Sequence, residues 1–272
     1  MISGDILCPL CGGKESVLFD QRTAHLRLIT NRLCSTCGLV FQSPRMADAE
    51  LQAFYQEEYR RLYQGDQGPG KKDLQVQSLR ASALLDFAEG YLPTVTRHLD
   101  IGCSAGLLLK RFQEAYGCQP VGVEPGTAYR QYAQNMRLEV YPALDDIREK
   151  ALERFDLVSM AHVLEHLPEP VAYLANLRKN LLAKDGALLI EVPNLYAHDC
   201  FEIAHLVSYS PHTLRELLRI AGYTVLAFKQ HGQPRSEIIP LYLTALARPL
   251  GQTDYSTAHP AMTTDAKGFA IL

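Results

Sequence analysis

The chain has 272 residues, of which 47% are hydrophobic and 21% charged, and its formal net charge is -3. This composition is that of a globular protein with room for one sizeable domain and a small accessory module. The slightly acidic charge excludes the basic surface that proteins use to bind phosphate backbones, so nucleic acid is an unfavoured partner. The N-terminus lacks a basic stretch followed by an apolar segment, and no run of about eighteen apolar residues occurs. We therefore expect a soluble, cytoplasmic protein without a membrane span.

Four of the seven cysteines occur as two C-x-x-C pairs near the N-terminus, Cys8 with Cys11 and Cys34 with Cys37. A glycine follows each pair and permits the tight turn that aims two sulfurs at one point. Zn²⁺ prefers four sulfur ligands in a tetrahedron, and a closed four-sulfur site leaves no position for water. The spacing therefore predicts a structural zinc ribbon with these four ligands. A redox pair or two buried cysteine pairs are the alternatives.

A helical connector is predicted between the ribbon and the rest of the chain. Asp48–Tyr55 is predicted to form a short helix that Asp48 caps. The glycine-rich stretch Gln64–Lys72 predicts a mobile loop, and a helical pattern over Leu74–Phe87 ends near Gly90. The chain thus divides into a ribbon, a helical linker, a core domain and a C-terminal tail, over residues 1–43, 44–93, 94–250 and 251–272.

Short β-like runs alternate with helical segments through the core domain. The predicted strands are Thr96–Ile101, Pro120–Glu124, Leu138–Tyr141, Phe155–Met160 and Ala187–Val192. This alternation, with strands that are apolar on both faces, predicts an α/β fold whose doubly wound, mainly parallel sheet is covered by helices. A helix is predicted over Leu214–Ala221, followed by a closing antiparallel hairpin over Tyr223–Gln230 and Ile238–Ala247.

A loop of small residues follows the first strand of the core, with the pattern Asp100-x-Gly102-x-x-x-Gly106. Small residues let the backbone approach a ligand closely, and the following helix N-terminus offers N–H donors. The acid argues against a pyrophosphate, because a carboxylate suits the ammonium group of an amino-acid moiety. The candidate ligand-binding residues here are Asp100, Gly102, Cys103, Ser104, Ala105 and Gly106.

The second strand of the core ends in Glu124-Pro125, about twenty residues after the loop. A carboxylate at this point can accept hydrogen bonds from both ribose hydroxyls. Nicotinamide-dinucleotide proteins share this acid, so alone it indicates only an adenosine ribose.

The loop pattern together with the strand-terminal acid resembles the class I S-adenosylmethionine-dependent methyltransferases, which have a Rossmann-like fold, over roughly Thr94–Leu250. The resemblance implies S-adenosylmethionine as cofactor. It also implies an adenine contact after the third strand, for which Leu144 and Asp145 are the candidates.

The fourth strand leads into Met160-Ala161-His162-Val-Leu-Glu165-His166. This segment resembles ubiquinone-biosynthesis O-methyltransferases and zinc-ribbon sugar methyltransferases. Side chains at the end of a central strand face the ligand crevice, so Met160, Ala161 and His162 should contact the cofactor. His162 is a candidate general base, since its ordinary pKa is near neutrality. Glu165 and His166 are expected to anchor one helical turn and to point away from the site.

The long connection after the fifth strand is rich in polar residues and is expected to cover the acceptor site. Ser210 precedes Pro211 and is predicted to cap the next helix. The candidates for acceptor contact are His198, Asp199, Glu202 and His205. His205 is the second candidate base, and hydrogen-bonded packing is its alternative role.

The order of ribbon, linker helices and core is similar to that of nucleotide-sugar methyltransferases from deoxysugar pathways. The resemblance implies that His162 and His205 match two histidines of those enzymes. Ala204 stands where those C-methyltransferases have a glutamate, and Glu202 where they have a tyrosine. We therefore expect O-methylation of a sugar, nucleotide-sugar or glycan-related hydroxyl. The alternatives are sugar C-methylation, a non-catalytic S-adenosylmethionine-binding module, and an RNA or protein methyltransferase that uses the ribbon for recognition.

Overall fold

The protein is described from a computed structural model, which covers residues 6–47, 50–51, 54, 68–148, 153–197 and 201–250. Most of the helix predicted over residues 48–55 lies outside the described residues. The same is true of residues 64–67 of the predicted loop, of His198 and Asp199, and of the tail. Lys71 and Lys72 belong to a helix and not to that loop, so this part of the prediction is wrong.

A seven-stranded sheet forms the centre of the molecule. Its strands are β4 (Arg97–Ile101), β5 (Gln119–Val123), β6 (Glu139–Tyr141), β7 (Phe155–Ala161), β8 (Leu182–Pro193), β10 (Tyr223–His231) and β11 (Tyr242–Pro249). The order is β10-β11-β8-β7-β4-β5-β6. Strands β4 to β8 pair in parallel, and β10 and β11 add an antiparallel hairpin at one edge. The predicted α/β fold with its closing hairpin is confirmed.

Helices pack on this sheet because its central strands are apolar on both faces, with Leu99, Ile101 and Val158 fully buried. The helices are α1 (Lys71–Ala88), α2 (Leu107–Tyr116), α3 (Thr127–Asn135), α4 (Leu144–Arg148), α5 (Pro170–Asn180) and α6 (Pro211–Ile220). Helix α6 begins as predicted, since Ser210 Oγ accepts a hydrogen bond from the Thr213 amide at 3.2 Å. Within the described ranges, no helix is long and apolar enough to cross a membrane.

The N-terminal residues form a second, smaller sheet in the order β1-β2-β3-β9. Its strands are β1 (Ser16–Ala24), β2 (Arg27–Cys34), β3 (Val40–Gln42) and β9 (Val207–Ser208). Strand β9 comes from the connection between β8 and α6, and Phe41 pairs with Val207. The ribbon is therefore joined by backbone hydrogen bonds to the segment that carries His205.

Strand β4 lies between β5 and β7, and the chain continues from β4 to β5 toward one edge of the sheet and from β7 to β8 toward the other. In open α/β sheets the ligand crevice lies outside the carboxyl ends of the strands at such a reversal of strand order. The fold thus places the residues that follow β4, β5 and β7 around one crevice.

Candidate active site

The loop between β4 and α2 is tightly packed and needs its glycines. Gly102 and Gly106 have φ angles of +73° and +79°, in the region that favours glycine. A Cβ atom at Gly102 would overlap Val163, and one at Gly106 would lie 2.5 Å from Leu138 Cδ1. The neighbouring Ser104 also has a positive φ, of 49°. The loop backbone is therefore held in one shape before any ligand binds.

Glu124 is buried at the end of β5 and holds this loop. Its Oε2 accepts a hydrogen bond from the Ser104 amide at 3.0 Å, and its Oε1 accepts one from the Gly126 amide at 2.6 Å. Each carboxylate oxygen can accept a further hydrogen bond. The geometry is thus compatible with the predicted ribose contact.

Asp100 is a second buried carboxyl group in the same crevice. Ser159 Oγ donates to Asp100 Oδ1 at 2.6 Å and lies 2.7 Å from His98 Nε2. The net pKa of Asp100 is raised to about 7, because burial and the charge of Glu124 together outweigh the opposing hydrogen bond from Ser159. A cationic ligand beside Asp100 would therefore relieve an unfavourable concentration of negative charge.

The remaining residues predicted to contact the cofactor lie along the same strand ends. Cys103, Ala105 and Met160 are buried, while Ala161 is partly buried at the end of β7. The other three are exposed Pro125, buried Leu144 at the start of α4, and exposed Asp145 in its first turn. Their cofactor contacts stay predictions.

One face of α1 contacts three parts of the crevice, which the sequence analysis missed. Gln77 Oε1 accepts a hydrogen bond from the Ala105 amide at 3.2 Å, and Asp73 accepts one from the Tyr129 hydroxyl at 2.8 Å. Arg80 Nε lies 2.7 Å from Glu191 Oε1. Residues at positions i, i+4 and i+7 lie on one face of a helix. The polar residues at this spacing could therefore have indicated from the sequence that one face of α1 is directed toward the crevice.

His162 follows β7 and faces two buried carboxylates. Its Nε2 lies 3.2 Å from Glu191 Oε1, and its Nδ1 lies 3.3 Å from Glu165 Oε1. Its φ of 58° is unusual for a residue other than glycine and is typical of functional sites. Burial and the charge of Arg80 lower its pKa, but the contacts with Glu165 and Glu191 outweigh them, so the net pKa is raised.

Glu191, in β8, is the centre of a buried polar network that the sequence did not reveal. Its Oε2 lies 3.4 Å from His231 Nε2 and accepts a hydrogen bond from Thr244 Oγ1 at 3.3 Å. Burial alone would raise the pKa of Glu191, yet the contacts with His162, His231 and Arg80 hold it well below its usual range. Glu191 therefore carries a negative charge next to His162.

Glu165 and His166 do form a single 3₁₀ turn, Leu164–His166, but the expectation that they point away from the site is wrong. Both are buried, and the His166 ring centroid lies 4.9 Å from that of His205. His166 Nδ1 lies 2.9 Å from the Ala204 carbonyl oxygen. The turn begins two residues after His162, and Glu165 Oε1 lies 3.3 Å from His162 Nδ1.

The ribbon holds the segment that carries His205. The Gln42 side-chain amide donates to the carbonyl oxygens of Glu202 at 2.8 Å, Ile203 at 3.4 Å and His205 at 2.7 Å. On the outer hairpin, the Phe19 and Phe201 ring centroids are 5.8 Å apart. The ribbon thus positions the segment whose His205 packs against His166 of the 3₁₀ turn.

The four ribbon cysteines converge as predicted. Cys8 Sγ lies 3.5 Å from Cys37 Sγ, Cys11 Sγ lies 3.6 Å from Cys34 Sγ, and all four sulfurs lie within 4.8 Å of one another. Zn–S bonds of about 2.3 Å place the sulfurs of a tetrahedral site about 3.8 Å apart. This cluster therefore fits a small zinc-binding ribbon.

Comparison with known proteins agrees with this geometry. A family model described as a methyltransferase domain matches residues 73–227, more than half of the chain. The ubiquinone biosynthesis O-methyltransferase of Rhodopseudomonas palustris is 36% identical over 100 residues, which cover 35% of this chain and 38% of that protein. The tRNA U34 carboxymethyltransferase of Dichelobacter nodosus is 34% identical over 110 residues, 38% of this chain and 34% of that protein. The matches thus span well under half of these curated relatives.

Among solved structures, the chain is similar to the 1,6-didemethyltoxoflavin-N1-methyltransferase of Burkholderia thailandensis, crystallised with that compound and S-adenosylhomocysteine. The TM-score is 0.61 at 21% identity, and the match covers 86% of this chain and all of the other. The magnesium protoporphyrin IX methyltransferase of Synechocystis gives 0.52 at 17% identity, over 75% of this chain and 98% of the other. These likenesses show the fold. Together with the family match, they show that the chain belongs to the class I S-adenosylmethionine-dependent methyltransferases.

Proposed function

We propose that the protein transfers a methyl group from S-adenosylmethionine to a hydroxyl of a small sugar, nucleotide-sugar or glycan-related molecule. The observation that carries this proposal is the pairing of the partly exposed His162 with the buried Glu191, 3.2 Å apart, at the end of the strand next to the Gly102–Gly106 loop. A proton acceptor thus lies beside the crevice in which this family binds its cofactor.

Asp100, the Gly102–Gly106 loop and Glu124 would hold S-adenosylmethionine. The two buried carboxylates suit its cationic amino-acid end and its ribose, and the tight loop permits close approach of the backbone. When bound, the cofactor supplies an electrophilic methyl group on a cationic sulfur. The protein's own contribution is to orient the acceptor, exclude water and remove one proton.

His162 would remove that proton. Its Nε2–H donates to Glu191 Oε1, which fixes the tautomer whose Nδ1 can accept the acceptor's hydroxyl proton. Glu165, 3.3 Å from Nδ1, would then stabilise the imidazolium ion. Arg80 and His231 keep Glu191 in place. His205 is the alternative base, since it is buried in the same region.

The acceptor is proposed to be polar, because the region between His162 and the ribbon contains titratable side chains on the 3₁₀ turn and on the 201–208 segment. The sugar class rests on the resemblance to nucleotide-sugar methyltransferases. We also propose that the four cysteines bind a structural Zn²⁺, which would stabilise the ribbon, and that the protein acts in the cytoplasm.

The test is incubation of the purified protein with S-adenosylmethionine that carries a trideuterated methyl group and a panel of acceptors. The panel contains nucleotide sugars, free deoxysugars, phenols and tRNA. Mass spectrometry of the products should find the label on a sugar oxygen, and the His162→Ala protein should form this product about 10²- to 10⁴-fold more slowly. Label on a sugar carbon would indicate C-methylation instead, and label on tRNA would replace the small-molecule assignment. Bound cofactor without any labelled product would favour a binding module.

A further inference from the structure

Glu165, His166 and His205 form a second cluster with metal-ligand chemistry, separate from the four ribbon cysteines. One carboxylate oxygen and one nitrogen of each histidine all lie within 4.8 Å of one another. The three side chains come from the 3₁₀ turn after β7 and from the segment that the ribbon holds. Two distant parts of the chain thus bring two imidazoles and one carboxylate together.

The Glu165 carboxylate is an unusual feature of this cluster. The residue is 1% exposed, and neither of its carboxylate oxygens accepts a hydrogen bond within the described part of the chain. Its Oε1 lies 3.3 Å from His162 Nδ1. Buried carboxylates without donors are rare because desolvation strongly disfavours the charge, and a bound cation is one of the few ways to compensate it.

His166 is oriented as metal-binding histidines usually are. Its Nδ1–H donates to the Ala204 carbonyl oxygen at 2.9 Å, which fixes the tautomer whose Nε2 carries the lone pair. His205 lies beside it, with the ring centroids 4.9 Å apart, and Gln42 holds the His205 backbone carbonyl at 2.7 Å. The Glu202 carboxylate lies 4.0 Å from His205 Nε2 and can orient it.

We propose that Glu165, His166 and His205 bind one divalent first-row transition-metal ion, such as Zn²⁺ or Mn²⁺, separate from the ribbon metal. Two imidazoles and one carboxylate are a ligand set that suits such ions. A site with three protein ligands leaves open positions, unlike the closed four-sulfur site. Bonds of about 2.1 Å would place the ligand atoms about 3 to 4 Å apart, which small side-chain rotations achieve from the present distances.

The open positions would bind oxygen atoms of the acceptor, and this part of the inference rests on the proposed function. A hydroxyl bound to a divalent cation loses its proton more readily. Since Glu165 contacts both His162 and the proposed metal position, the bound hydroxyl would lie within reach of His162 Nδ1. His205 would then serve as a metal ligand, which leaves His162 as the base.

Metal content of the full-length protein tests the site without any assay of activity. The protein is stripped with a chelator, dialysed against Zn²⁺, freed of excess metal, and measured by mass spectrometry. Wild type should hold one equivalent more than the isosteric Glu165→Gln variant and than His205→Ala. His212→Ala, at an exposed histidine of α6, is the matched control and should equal wild type. Equal metal content in wild type and both site variants would overturn the proposal.

Cobalt spectra separate the two metal sites and control for folding. In Co²⁺-loaded protein, thiolate ligands give intense near-ultraviolet charge-transfer bands, whereas imidazole and carboxylate ligands give only weak visible bands. Glu165→Gln should keep the thiolate bands and lose the remaining visible intensity, and Cys34→Ser should do the reverse. Loss of both the thiolate bands and the weak visible bands in Glu165→Gln would show a folding defect. The proposal would then be tested with His205→Ala, which should keep the thiolate bands and lose the weak visible bands. A protein that binds the second metal but methylates nothing would contradict the proposed function alone.

Discussion

The crevice has two halves that are built in different ways. The cofactor half comprises Asp100, the Gly102–Gly106 loop and Glu124, and the two backbone amides that bind Glu124 lie within 20 residues of it in the sequence. The acceptor half comprises His162, Glu191 and the 201–208 segment, whose contacts join side chains from α1, β8, β10 and the ribbon. We expect cofactor binding to depend mainly on the loop and its neighbouring strand ends, and acceptor chemistry to depend on long-range packing. Substitutions should therefore affect the two halves separately.

His162→Ala should give the largest difference between the effect on turnover and the effect on cofactor affinity. Removal of a general base lowers turnover by about 10²- to 10⁴-fold, whereas the affinity for S-adenosylmethionine should stay within about twofold. Initial rates and calorimetric titration of the cofactor measure the two effects. The exposed His212→Ala protein is the control. A parallel loss of cofactor affinity in His162→Ala would show that the two halves are not separate.

Cys34→Ser should act at a distance on the acceptor half. Loss of one thiolate should release the ribbon metal, which metal analysis would detect, and loosen the pairing of Phe41 with Val207. A shift of about 1 Å in the 201–208 segment can lower kcat/KM by about 10²-fold. Cofactor affinity should not change. Cys118→Ser, at a buried cysteine outside the cluster, is the matched control, and equal kcat/KM values in the two variants would contradict the role of the ribbon.

Cofactor binding should depend on pH through Asp100. Its pKa of about 7 means that the carboxyl group is largely protonated at pH 6 and ionised at pH 8. If the ammonium group binds the ionised form, affinity should be about tenfold weaker at pH 6 than at pH 8. Calorimetry in two buffers should detect protons released on binding at pH 6. The Asp100→Asn protein should lose this dependence, and an unchanged pH profile in that variant would exclude Asp100 as its origin.

The smallest effect is expected for Gln42→Ala, which removes hydrogen bonds to three carbonyl groups of the acceptor half. Loss of these hydrogen bonds should weaken acceptor binding by about 1 kcal/mol, which corresponds to a rise of about fivefold in the KM of the acceptor. The KM of S-adenosylmethionine should not change. Gln21→Ala, in β1, is the control, because its side chain donates a hydrogen bond to Thr30 within the ribbon. A fivefold rise in both variants would point to general loosening of the ribbon.

The same contrast explains what could be predicted from the sequence. The loop glycines, Glu124 and the cysteine pairs form short motifs, so their spacing alone brought them together. Arg80, Glu191 and His231 belong to three separate elements, and each is an ordinary charged or polar residue in a helix or strand. Their meeting depends on strand order and register, in particular on β8 pairing with both β7 and β11. The sequence pattern did not distinguish the 3₁₀ turn Leu164–His166 from a turn of α-helix. It therefore did not indicate that the Glu165 side chain points toward His162.

Titration of S-adenosylmethionine into wild type, Glu124→Ala and His162→Ala tests the central assignment most directly. We expect one site in wild type, an affinity about 10- to 100-fold weaker in Glu124→Ala because charged hydrogen bonds are lost, and wild-type affinity in His162→Ala. Wild-type affinity in Glu124→Ala, or no binding to the wild-type protein, would contradict the placement of the cofactor at the ends of β4 and β5.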